Sequence, residues 1–279
     1  MLNKDYLFAD VDERNMAVRS RNIGFTVNSH GDDIYGRILL PALEKEEERS
    51  PVLVMFHGYP GREQNLDIPY ALRRAGVATA YFSYRGIWGS HGYYRFSHLI
   101  EDAFTVVDLI RQRAEQYRLD PNRIYLLGHS MGGFTVLNAI AEGLDVRGGI
   151  VVAPCDMAMR AQEEPQKYER MKKTAESKVF RLPDQDYLWG ELEANLAKWR
   201  FDALAERIPQ SMPVHFIGGT RDTAVPPQRH TIPVYELLRK RGMDVSYQEL
   251  DTDHTFTGFR VTLTEMVLEL LAGMEQEKS

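Results

Sequence analysis

The feature that most constrains this chain is a series of short, largely apolar runs separated by stretches with helical spacing. They read VLVMFHG at 52–58, VATAYFSY at 77–84, RIYLLGH at 123–129, GGIVVAP at 148–154 and PVHFIGG at 213–219. Each is too short for a buried helix and lacks the polar alternation of a strand with one wet face. Such runs suit strands buried on both faces, which requires a mostly parallel sheet with helices on either side. The intervening segments agree. Residues 97–118 carry Leu99, Ala103, Val106, Val107 and Ile110 at helical spacing. MGGFTVLNAIAEG, a stretch near 227–241 and the end of the chain from about 257 also read as helices. REQNLDIPYALRRAG is a helix ending at Gly76, with Pro69 weakening its first half. IGFTVNS (23–29) and IYGRILL (34–40) flank HGDD and predict an antiparallel hairpin leading into the sheet, and DVSYQEL at 244–250 is a last strand.

One interval breaks the alternation. Between Pro154 and Pro213 no strand signal occurs, while helical patterns fill 166–177 and 186–207 on either side of RLPDQ. A connection of that length is functional or an inserted subdomain. The expected organisation is an α/β core formed by 1–155 and 211–279. A helical cap of 156–210 is inserted between the strand near 149–154 and the strand near 213–218. No internal repeat is visible.

Charge and cysteine content narrow the function. A formal net charge of −6 disfavours nucleic acid and anionic membranes as partners, because both reward clustered cations. The basic stretch KYERMKKTAESKVFR is interleaved with Glu and reads as a solvated helix face. Cys155 is the only cysteine, so no intramolecular disulfide can form. The start is polar and acidic, without an apolar stretch of signal-peptide length, and no run reaches the ~20 apolar residues of a membrane span. A soluble, cytoplasmic protein is expected, with its oligomeric state left open. No HExxH or paired ligand spacing suggests a metal, and no cofactor is expected.

The chemistry concentrates at IYLLGHSMGGFTVLNAI, residues 124–140, where a strand turns into a helix around Ser130. Gly128 and Gly132 would let strand and helix pass closely, and the helix amino terminus would place partial positive charge beside the hydroxyl. A small-residue turn that merely packs is the competing reading. GHSMG, in this strand–turn–helix setting, resembles the nucleophile elbow of the α/β-hydrolase superfamily. The resemblance covers about 20–275. It is strongest to the dienelactone hydrolase and prolyl-oligopeptidase-like branch and to capped esterases such as cinnamoyl esterases, with YRGIWGSHG after the fourth strand supporting that placement. The chain departs from dienelactone hydrolases in carrying serine, not cysteine, at the nucleophile.

The resemblance implies an acid and then a histidine downstream. Asp222, in FIGGTRDTAVPP, and His254, in LDTDHTF, each follow a strand and fit that order. His254 would take the Ser130 proton, and Asp222 would hold the imidazole. Asp156 is the alternative acid, since in some members it follows the preceding strand. Asp251 and Asp253 lie too close to His254 in sequence to orient its ring. His129 is expected to point away from Ser130 and to pack. FHGYPG (56–61) resembles the family's oxyanion loop, with the backbone N–H groups of Tyr59 and Met131 as donors. Trp88, Tyr93 and Trp189 are candidate substrate contacts, among aromatic residues whose other role is docking the cap. Arg85 and Arg221 would meet an anionic substrate or serve in ion pairs. The implied function is hydrolysis of small to medium carboxylic esters through an acyl-serine. A peptidase acting on short or N-acylated peptides, or a non-catalytic ligand-binding protein of the same fold, are the alternatives.

Overall fold

The structure, a computed structural model, describes residues 2–60, 65–175 and 179–276. Its strands are β1 (Arg21–Ser29), β2 (Asp32–Leu40), β3 (Ser50–Phe56), β4 (Ala78–Phe82), β5 (Leu119–His129), β6 (Gly148–Val152), β7 (Val214–Gly219) and β8 (Val245–Leu250). They form one sheet ordered β1-β2-β4-β3-β5-β6-β7-β8. β1 and β2 pair antiparallel through the two-residue turn His30-Gly31, whose φ values of 52° and 98° are those a tight hairpin requires. β2 meets β4 antiparallel, and every later pairing is parallel. β3, β6 and β7 are buried along their whole length, in keeping with their largely apolar sequences. β5 starts earlier than its apolar run because Leu119 pairs with Ser50 across a bulge.

From β3 the chain runs to β4 on one side, then crosses to β5 on the other. The reversal opens a crevice at the carboxyl ends of β3 and β5, the usual ligand position in an open parallel sheet. These are the strands that lead into FHGYPG and GHSMG.

Helix α1 (Asp67–Arg74) places Pro69 in its first turn, where a missing N–H costs nothing; the REQ portion of the expected helix lies outside the described residues. α2 (Phe96–Gln112) and α3 (Ala114–Tyr117) divide the predicted 97–118 helix. α4 (Met131–Ala141) is buried from Met131 through Ile140, consistent with a sequence that has no polar face.

After β6 come α5 (Met157–Glu163), α6 (Pro165–Ala175), α7 (Gln185–Ala194), α8 (Leu196–Trp199) and α9 (Phe201–Arg207). Residues 176–177 of the predicted 166–177 helix lie outside the described residues. The helix expected near 227–241 is split into α10 (Pro227–His230) and α11 (Ile232–Lys240), because Pro233 has no N–H to continue the ladder. α12 (Arg260–Gln276) ends the described chain.

Leu72 of α1 and Val267 and Leu271 of α12 cover one face of the sheet with Leu53 and Met55. On the other face Ala103, Val136 and Leu204 pack with Val54 and Leu126. Leu188, Trp189 and Leu192 of α7 and Trp199 of α8 belong to that second cluster, so these helices share the sheet's core. Among the described residues no helix is long and apolar enough to cross a membrane.

Candidate active site

Ser130 sits between β5 and α4 with φ 59° and ψ −119°, a conformation that L-residues rarely adopt. Its N–H donates to the Val152 carbonyl at 2.9 Å, and its own carbonyl accepts from Cys155 at 3.0 Å, so the end of β6 and the turn after it hold the strained residue. The glycines answer to crowding. A Cβ at position 132 would lie 2.0 Å from the Phe56 carbonyl oxygen, and one at 128 would lie 2.2 Å from that of Gly132. Only hydrogen side chains allow β3, β5 and α4 to converge here.

The loops after β7 and β8 deliver Asp222 and His254 to the same edge. His254 Nε2 is 2.9 Å from Ser130 Oγ, and His254 Nδ1 is 2.6 Å from Asp222 Oδ2. The buried carboxylate can only accept, so Nδ1 carries the proton and Nε2 is left to accept from the serine hydroxyl. The second Asp222 oxygen accepts from the Val225 N–H at 2.7 Å, which fixes the carboxylate plane.

Asp156, the alternative acid, is engaged elsewhere. Its oxygens accept from the N–H groups of Met159 and Phe201 at 2.8 and 2.9 Å, capping both α5 and α9. Burial, against those two bonds, pushes its carboxyl up to about 6. Asp253 accepts from the N–H groups of Thr255 and Thr257, shaping the His254 loop from within, and Asp251 pairs with Arg221 at 2.9 Å.

His129 does more than pack. Its Nε2–H donates to the His254 carbonyl at 2.9 Å, and the two rings lie 4.9 Å apart. Burial pushes its imidazole down to about 3, so it stays neutral and donates through one nitrogen. Strand alternation correctly turns this side chain away from Ser130, but nothing in the sequence marks a bond to the backbone of a loop 125 residues later. Cys155, beneath the serine, is 1% exposed, and burial pushes its thiol up to about 11.

Gly58 brings the loop after β3 against the serine; a Cβ there would lie 3.1 Å from that of Ser130. Among the described residues neither the Tyr59 nor the Met131 backbone N–H meets a backbone acceptor. Tyr94 Oη–H donates to Met131 Sδ at 3.0 Å, and His57, pushed down to about 4 by burial, packs on Tyr84 with ring centres 4.4 Å apart. The Tyr59 side chain reaches into the inserted helices: its hydroxyl donates to the Met171 carbonyl at 2.8 Å, and its ring stacks on Phe180 at 4.9 Å.

The remaining candidates are dispersed. Trp189 is buried between Tyr59 and Tyr168, with its Nε1–H on Gln185. Trp88 and Tyr93 are 41% and 45% exposed; Tyr93 leans on Tyr187, and Trp88 lines an open cleft of about 420 Å³ with Phe180 and Arg181. Arg85 is buried against Asp102 at 2.7 Å and Glu101 at 2.5 Å, which fixes it as an internal ion-pair partner. Among the described residues no cluster of His, Cys, Asp and Glu is arranged to hold a metal ion.

Two curated relatives, both called uncharacterized protein YfhR and coming from Salmonella typhimurium and Salmonella typhi, are 29% identical over 124 residues. That match spans 44% of this chain and 41% of theirs. Among solved structures, puromycin hydrolase superposes with a TM-score of 0.70 at 20% identity, over 91% of this chain and 39% of its own. Est1E from Butyrivibrio proteoclasticus gives 0.65 at 18%, over 91% and 99%. The acylaminoacyl peptidase of Pyrococcus horikoshii gives 0.67 at 16%, over 91% and 42%. These likenesses establish a shared fold. The model of the family described as serine aminopeptidase, S33, matches residues 47–186, half of the chain, taking in both the loop after β3 and the Ser130 turn. The chain therefore belongs to that family of α/β-hydrolase serine hydrolases.

Proposed function

We propose that the protein hydrolyses carboxylic esters with small to medium acyl groups through an acyl-serine intermediate. The observation that carries this reading is the unbroken hydrogen-bonded chain from Ser130 Oγ through His254 to Asp222, at 2.9 and 2.6 Å. As His254 Nε2 takes the hydroxyl proton, Ser130 Oγ attacks the acyl carbonyl, and Asp222 stabilises the imidazolium that forms. The N–H groups of Tyr59 and Met131 receive the developing oxyanion, helped by the amino terminus of α4. His254 then gives the proton to the leaving alcohol. Water, activated by the same imidazole, releases the acid and restores the serine.

The helices of 156–210 act as the cap over this edge. Trp88 and Tyr93, both exposed, are the substrate contacts, and Trp189 holds the cap to the Tyr59 loop. Est1E, also solved with ferulic acid bound, and two fungal esterases from Rhizomucor miehei that share the fold support the ester reading. A second reading, cleavage of short or N-acylated peptides, is favoured by the family's description as serine aminopeptidases. Both use the same acyl transfer.

A fluorophosphonate probe should label the wild type stoichiometrically at Ser130 and leave His254→Ala unlabelled. Faster turnover of p-nitrophenyl esters than of aminoacyl anilides supports the esterase, and the reverse supports the peptidase. Absence of labelling in folded protein overturns both in favour of a binding protein.

A further inference from the structure

Two of the loops at the proposed catalytic edge are tied to one short stretch of the insertion. Tyr59 donates from its hydroxyl to the Met171 carbonyl of α6 at 2.8 Å, stacks on Phe180 at an interplanar angle of 16°, and meets Trp189 edge-on at 6.1 Å. Burial holds the phenol well above its ordinary pKa, so the hydroxyl remains a donor. One turn earlier on α6, Lys167 Nζ donates to the carbonyls of Thr223 and Ala224 at 2.8 and 3.2 Å, directly after Asp222. Arg160 of α5 adds a bond from Nη2 to the Ala224 carbonyl at 2.5 Å.

Arg160 is itself fixed. Glu164, almost wholly buried, lies 3.0 Å from its Nε and also faces Lys167, Arg229 and His230 at 3.6, 3.5 and 3.4 Å. His230 Nδ1 accepts from the Asp156 N–H at 3.2 Å, which leaves Nε2–H to point at Glu164. A lid that merely covered substrate would have no need to bond the backbone on either side of the reacting atoms.

We propose, building on the serine-hydrolase reading, that α5 and α6 serve the chemical step itself: Tyr59's side chain, Lys167 and Arg160 are positioning residues that hold the oxyanion loop and the Asp222 loop in register with Ser130. The bracket makes substrate-induced movement of α6 a movement of both loops together. Turnover, more than ground-state affinity, is the quantity it governs.

The test compares Tyr59→Phe, Lys167→Met and Lys167→Arg with the wild type on p-nitrophenyl acetate, whose acyl group makes minimal demands on a cap. Losing one positioning hydrogen bond in Tyr59→Phe, which keeps the ring stack, should lower kcat about five- to tenfold with KM held within about twofold. Affinity for a phenylboronic acid, which forms a tetrahedral adduct on the serine, should fall in step with kcat. Lys167→Met should lose about threefold in kcat and Lys167→Arg should recover it.

Wild-type kcat in both Tyr59→Phe and Lys167→Met, or a change confined to KM, overturns the proposal while leaving the serine hydrolase intact. Failure of the wild type to react with a fluorophosphonate removes the hydrolase reading and this one with it. Should Tyr59→Phe fail to fold, the Lys167 pair decides the matter, because that side chain is partly exposed and carries little of the core.

Discussion

The two halves of the proposed catalytic edge are held in different ways. Ser130 and His254 are fixed by the core. The serine is pinned by two backbone bonds to Val152 of β6 and to Cys155 just after it, α4 behind it is buried from Met131 through Ile140, and the His254 loop is braced by His129 and by its own Asp253. The Tyr59 loop, by contrast, sends its own hydroxyl to the Met171 carbonyl of α6, and the Asp222 loop receives side-chain bonds from Lys167 and Arg160. The contrast follows from what each part must do. A nucleophile in a strained backbone conformation needs surroundings that cannot relax. Loops that border an incoming substrate need supports that can shift, and long side chains reaching to carbonyls provide them.

The largest expected effect tests the core-held half. Ser130→Ala should lower kcat by about 10⁴-fold or more with little change in melting temperature, since the elbow's backbone remains. Substantial residual turnover would place the nucleophile elsewhere. Next, Arg160→Met strips the buried Glu164 of its closest cation and should cost about 3 kcal/mol of stability, read from denaturant midpoints. A small cost there would mean that the insertion is anchored by its apolar contacts alone.

Acid should weaken the fold more gently. His57 and His129 are neutral when folded, held down to about 4 and about 3, and each takes up a proton on unfolding below about 6.5. The unfolded chain therefore binds more protons as pH falls from about 6.5 towards 4, and stability declines across that window. His215 and His230 act in the same direction. Asp156 opposes them, because its raised pKa lets the folded state take a proton first below about 6. His129→Leu should flatten the pH dependence by about 1.4 kcal/mol per pH unit. An unchanged slope would mean that His129 is not neutral in the native state. The smallest effect belongs to Arg221→Ala, whose ion pair with Asp251 is exposed; stability should move by less than about 0.5 kcal/mol.

Much of this architecture could be read from the sequence, for reasons that differ by region. The buried strands declared themselves because a parallel sheet covered on both faces favours apolar residues at most positions along each strand. GHSMG was legible because crowding at Gly128 and Gly132 admits no other side chain. Chain order and turn chemistry alone favour Asp222 over Asp156, since both carboxylates follow strand ends. Only the fold reveals that Asp156 caps two helices that begin 44 residues apart. The ties from Tyr59 to Met171 and from His129 to His254 end on backbone carbonyls, which every residue possesses, so no sequence pattern announces them.

The solitary thiol of Cys155 lies under the serine turn, where the sheet gives way to α5. Shielded and un-ionised in the native molecule, it offers a disulfide reagent neither access nor thiolate. Its modification rate in dilute Ellman's reagent is thus a natural stopwatch for transient opening of that junction. The stopwatch runs on one channel without an engineered label, and it should tick faster in any variant whose α5 has come loose.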